Sequence, residues 1–111
     1  MTRQQAFNIA SLCLQLLDKP EKWKHPEEFN AKCSIGDDSQ SLSCALKLMS
    51  ISVVGEFKSR SLIMRRTRWK IRQHYLWRHG WHPLNHFNNH RNTTYNDVMF
   101  LLTKVRDSLG E

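Results

Sequence analysis

The sequence predicts a small all-α domain. The expected architecture is a compact bundle of about four helices with an irregular segment after the first, where a short hairpin is the alternative. Three observations lead there. Stretches near both ends carry apolar residues at helical spacing, each behind a capping-box sequence. A third such stretch, over residues 42–53, runs up to a glycine. The 111 residues, 40% hydrophobic and 24% charged, suit one globular core and no second domain, so residues 1–111 read as a single basic helical domain.

The first helix is announced by Thr2-x-x-Gln5, where a threonine hydroxyl can take a backbone N–H and the glutamine can reach back. Ala6, Ile9, Ala10, Cys13, Leu16 and Leu17 supply its apolar face, and Asp18-Lys19-Pro20 stops it. Residues 19–41 are polar and punctuated by Pro20, Pro26 and Gly36, with Trp23 and Phe29 as anchors to the core and a hairpin around Gly36 as an option. A second helix is expected from Ser39 or Ser41, buried along Leu42, Ala45, Leu46, Met49 and Val53 and stopped by Gly55. Thr94-x-x-Asp97 opens the last helix, whose core face is Val98, Leu101, Leu102, Val105 and Leu109.

Between these lies the most distinctive stretch. Residues 56–79 hold 8 of the 17 Lys and Arg and one acid, Glu56, with Trp69, Tyr75 and Trp77 interleaved. No glycine or proline interrupts Phe57 to His79, so one long helix is expected, touching the core along Leu62/Trp69/Leu76 and Met64/Ile71/Tyr75 and capped by Gly80. Arg65, Arg68 and Arg72 share a face at i, i+3, i+7 spacing. The formal charge of +7 favours an anionic partner. Arginines can pair bidentately with phosphate or carboxylate, and aromatics can stack on bases. A solvated basic face, partly neutralised by Glu21, Glu27, Glu28, Asp37 and Asp38, is the plain alternative. The candidate contact residues are Arg60, Arg65, Arg66, Arg68, Lys70, Arg72, Arg78 and Trp77, joined by His82, His86, His90 and Arg91 of the following segment.

Residues 80–93 read as a loop rich in histidine and asparagine. His79, His82, His86 and His90 recur at three- and four-residue spacing, which on one helix would suit a metal. Gly80 and Pro83 argue against a continuous helix, so no metal site and no cofactor are expected. The loop shares its residue content with His-Asn-His nucleases, but its spacings are too short, and a metal-dependent nuclease is only a third reading. No nucleophile motif or glycine-rich phosphate loop occurs, so no catalytic residues and no enzyme are expected.

The three cysteines, Cys13, Cys33 and Cys44, are odd in number and form no Cys-x-x-Cys pair. Reduced thiols are therefore expected, with Cys13 and Cys44 as small core residues. No apolar run has the length of a membrane span, and Met1-Thr2-Arg3-Gln4-Gln5 leads into no apolar core of signal-peptide length. A cytoplasmic protein that does not enter membranes is the expectation.

Several short motifs occur in an order that resembles a family of small bacterial and phage proteins classed as a domain of unknown function. Trp23 stands for the family's tryptophan. Ser41-Leu42-Ser43-Cys44-Ala45-Leu46 stands for its Cys-Leu-x-Gly-Ala-Leu helix start. Asn88-Asn89 and then Thr94-Tyr95-Asn96-Asp97-Val98 stand for its Asn-Asp and Thr-x-x-Glu-Val. Here Ser41 replaces the cysteine, Cys44 the glycine and Asn89 the aspartate. The resemblance implies a helical fold and a bacterial or phage origin, and it carries no activity. For a phage protein of this kind it implies an inhibitor of a host defence or nucleic-acid-handling complex, acting in the host cytoplasm. Two partner classes follow: an acidic host protein or nucleoprotein complex, and DNA or RNA bound directly through the same basic residues.

Overall fold

Each of the two end helices begins where a side chain can take over a free backbone N–H. The computed structural model describes residues 1–25, 33–78, 80 and 82–110. In α1 (Arg3–Leu16) the Thr2 hydroxyl accepts from the Gln5 amide, and the Gln5 side chain accepts from the Thr2 amide, so the capping box is complete. Ala6, Ile9, Ala10 and Cys13 face inward from α1, and Leu17 beyond it is fully buried. The Thr94–Asp97 pair repeats the device ahead of α5 (Tyr95–Gly110): the Asp97 amide donates to the Thr94 hydroxyl and the Thr94 amide to the Asp97 carboxylate. The inner face of α5 is Val98, Leu101, Leu102, Val105 and Leu109, as its periodicity predicts.

The segment after α1 is irregular. A short 3-10 turn (Pro20–Lys22) leads to Trp23, which packs against the core. The hairpin is not formed among the described residues. The chain makes one isolated parallel bridge, Trp23 to Gln40, and a turn closed by the Asp37 amide on the Ser34 carbonyl. Phe29, Pro26 and residues 30–32 of the expected hairpin lie outside the described residues.

The α2 helix (Leu42–Val54) starts at Ser41, whose hydroxyl accepts from the Cys44 amide, and ends at Gly55. Gly55 has φ 82°, the left-handed cap that glycine adopts without strain. Reduced thiols are not what the fold shows for all three cysteines: Cys33 and Cys44 form a disulfide, and only Cys13 is free and buried. The two lie 11 residues apart, and the bond pins the segment before α2 to its first turn. Closing a loop of that size contributes about 3 kcal/mol by restricting the unfolded chain. With the bond formed, the odd cysteine count no longer argues for a reducing environment.

The basic stretch departs from the expected long helix. The α3 helix covers Leu62–His74 only, and Tyr75 caps it by donating its amide to the Ile71 carbonyl. A 3-10 turn (Leu76–Arg78) follows. The break comes from tertiary packing rather than from a glycine or proline. The Tyr75 ring leaves the helix path to sit 4.8 Å from the Phe87 ring. Of the two expected apolar stripes, Met64 and Ile71 are buried and Tyr75 packs on the core, but Trp69 and Leu76 are 57% and 58% exposed. The expected loop over 80–93 contains a helix, α4 (Pro83–Asn89). Pro83 is tolerated there because the first helical position needs no N–H partner.

The layers pack in sequence-distant pairs. The α1 helix lies on α5, α2 and α3, while α3 also contacts α5 and α4, and α4 rests on α2. One core results, with Ile9, Leu17, Leu46, Ile71, Phe87 and Leu101 fully buried. Each such side chain contributes about 1.5–3 kcal/mol on leaving water. The free carbonyls at the end of α5 are taken by arginines: Arg3 donates to Leu109 and Ser108, and Arg66 donates to Ser108. Among the described residues there is no helix long and apolar enough to cross a membrane.

Candidate functional site along α3 and α4

The inward face of α3 is Ile63, Met64, Thr67 and Ile71, so helical geometry turns Arg65, Arg68, Trp69 and Arg72 outward. Those four residues, with Pro83 at the start of α4, line an open depression of about 300 Å³. It adjoins a second of about 200 Å³, which shares Arg68 and Pro83 and adds Ser59, His82 and Asn85. A third, of about 500 Å³, shares His82 and Asn85 and extends to Trp77, His86 and His90. The shared walls make one trough along the α3–α4 junction. Among the described residues no carboxylate lines any part of it.

Arg65, Arg68, Arg72 and the neighbouring Arg60 have no ion-pair or hydrogen-bond partner among the described residues. Glu56 lines a neighbouring depression together with Arg60 and Arg65 but pairs with Lys58 at 3.4 Å, and the other described acids of the flanking segment lie elsewhere. Asp37 lies 3.9 Å from Lys24, and Glu21, Asp37 and Asp38 line a separate depression. Glu27 and Glu28 lie outside the described residues. The cations crowd one another: partial burial first, then the Arg60 and Arg65 guanidiniums, lower the basicity of Arg68. Arg68 remains a cation at neutral pH, in a cluster that a bound anion would relieve.

The other predicted contact residues divide. Arg66 is committed to α5, donating to the Ser108 hydroxyl at 2.9 Å and to the Ser108 carbonyl. Arg78 is the keystone of the corner after α3. It lies over the Tyr75 ring, pairs with Asp97 at 3.0 Å and donates to Thr93. Burial first, then the charge and hydrogen bond of Asp97, push the Tyr75 hydroxyl up to about 12, so it stays protonated. For Asp97, burial pulls the other way, but the Thr94 amide and Arg78 outweigh it and hold the carboxyl below its ordinary value. Lys70 bonds Gln73, Arg91 is exposed, and Trp77 stands 94% exposed.

Two local features position α4. Gly80 has φ 56°, a conformation that favours glycine, and a Cβ at that position would displace the His86 imidazole. Gly80 follows the 3-10 turn rather than capping a long helix. The second feature is Asn88, which is buried. Its Oδ1 accepts from Trp23 Nε1 at 2.6 Å and from the Leu42 amide at 2.9 Å, while its Nδ2 donates to the Lys24 carbonyl and to Asn89. Trp23, Leu42 and Asn88 all belong to the motifs that carry the family resemblance, and this hydrogen-bonded hub joins them.

His82, His86 and His90 line one part of the trough together, yet the described residues hold no cluster of three or more His, Cys, Asp or Glu able to take a metal. His79 lies outside the described residues. Trp69, which periodicity places in the core, is instead exposed on the face of α3 that carries Arg65 and Arg72. Its spacing of four from Arg65 and three from Arg72 was the signal that it shares their face. No protein family, curated protein or solved structure matches the chain.

Proposed function

We propose that this protein is a non-enzymatic binding module that engages a polyanionic partner through the α3–α4 trough. The observation that carries the reading is the row Arg65, Arg68 and Arg72: three guanidiniums on one helix face, unpaired among the described residues, in a trough that no described carboxylate lines. Folding gains nothing from crowding like charges, so a ligand is the simplest reason for their arrangement. Arginine forks match phosphate and carboxylate oxygens bidentately, which suits both nucleic acid and an acidic protein. An inhibitor that sits on a host defence or nucleic-acid-handling complex is the form this takes if the resemblance to small phage proteins holds.

The test compares two variants of equal net charge. One carries Arg65→Glu, Arg68→Glu and Arg72→Glu; the other carries Lys19→Glu, Lys22→Glu and Lys47→Glu, all at exposed positions. On an immobilised sulfated polysaccharide the first is expected to elute at much lower salt than the second. Equal elution would mean that net charge alone governs retention, and the trough would lose its role.

A further inference from the structure

We infer that the trough takes single-stranded nucleic acid, with Arg65, Arg68 and Arg72 on successive phosphates and the Trp69 and Trp77 indoles as stacking faces for bases. The inference rests on the binding role proposed above and names the partner.

Three features select this ligand. Arg65 and Arg72 are seven residues apart, about 10 Å along the helix. Three guanidiniums spread over that length suit a polymer or a multiply charged anion better than a single phosphate. The site is also concave: α3 forms one wall and Pro83, Asn85 and His86 of α4 contribute the other. A recognition helix must stand proud of its domain to enter a duplex groove, whereas a trough can receive a strand. Finally, Trp69 is 57% exposed at the arginine end and Trp77 is 94% exposed at the histidine end. Large aromatic faces left in water are costly to a fold and useful to unstacked bases. A duplex keeps its bases stacked and could meet these rings only after paying to open. Between the two indoles the wall carries His82, Asn85 and His86, whose ring and amide groups suit base edges on a splayed strand. An acidic protein would satisfy the arginines but gives the separated indoles no common apolar surface to meet.

The experiment is fluorescence anisotropy with labelled oligo-deoxythymidine and oligo-uridine of roughly ten nucleotides, a site size within the range of single-strand binders. A duplex of the same length and a polyglutamate peptide serve as competitors. With three phosphates engaged, a fourfold rise in salt is expected to weaken single-strand binding about 20-fold, from a slope of about −0.7 per phosphate. Trp69→Ala and Trp77→Ala are each expected to weaken it by about 5- to 100-fold. Both positions are exposed, and circular dichroism checks that the variants keep their helices. The single strand is expected to bind more tightly than the duplex. Equal or tighter duplex binding overturns the inference, as does indifference to both tryptophan changes. Competition by polyglutamate alone, lost with the arginine triple variant, would leave the binding role standing and make the partner an acidic protein. Failure of every polyanion to distinguish the triple variant from its charge-matched control would remove the binding role itself.

Discussion

Two polar regions meet at α4, and they are built by opposite rules. At the Asn88 hub the donors find acceptors: the Trp23 indole, the Leu42 amide and the Asn88 amide group are all hydrogen-bonded. In the trough between that short helix and α3, the row of α3 guanidiniums has no acceptor among the described residues. A buried polar group without a partner costs about 1–3 kcal/mol, so a fold must complete the hub. An exposed cation costs little when bare, so a fold can leave the trough unfinished. The difference separates polar residues that hold the protein together from those available to something else, and it cuts through the basic stretch. Arg65 and Arg66 are neighbours in sequence and belong to different classes.

The comparison can be broken most sharply at the hub. Asn88→Ala leaves the Trp23 and Leu42 donors without their acceptor and is expected to lower stability by about 2–5 kcal/mol in denaturant unfolding. A variant as stable as the parent would mean that the hub holds nothing. Asp97→Ala comes next, with an expected loss of about 1–2 kcal/mol from its capping role. Its pH dependence gives a second readout. The folded carboxyl is held below its ordinary 3.8, so its contribution is present above that pH and fades as pH falls through the folded value. The stability gap between parent and Asp97→Ala should therefore narrow below about pH 3.8 in acid titrations followed by circular dichroism. The smallest effect sharpens the comparison within α3. Arg66→Ala should cost about 0.5–1.5 kcal/mol of stability and leave polyanion retention unchanged. Arg68→Ala should do the reverse, weakening retention while moving stability by less than about 0.5 kcal/mol.

Much of this was legible in the sequence because the signals are local. Both capping boxes, the Gly55 stop, the Arg65/Arg68/Arg72 face and the apolar faces of α1, α2 and α5 depend on residues within a turn or two of one another. What was not legible depends on distant partners. The Cys33–Cys44 pairing follows from a fold that brings the start of α2 back to the preceding segment. The end of α3 at His74 follows from Tyr75 meeting Phe87 and from Arg78 meeting Asp97, 19 residues on. The intramolecular partners of Arg66 and Arg78 were hidden for the same reason, since Ser108 and Asp97 cannot be seen from within the basic run. Pro83 was read as a helix breaker, although its position opens α4. Trp69 was assigned to the core because an aromatic residue at helical spacing is usually inside, and only the packing of α3 showed which of two stripes faced in.

The contact between α1 and α5 has a consequence for how the protein is made. Their pairing is the most extensive between any two helices, and Arg3 closes it on the carbonyls of Ser108 and Leu109. On the ribosome α1 must wait on the order of ten seconds, at typical elongation rates, before α5 exists to cover it. Until then the apolar face of α1 has only α2 and α3 to pack on, and part of it stays open to water. A message cut short before α5 would yield a product destined for degradation rather than a smaller working domain.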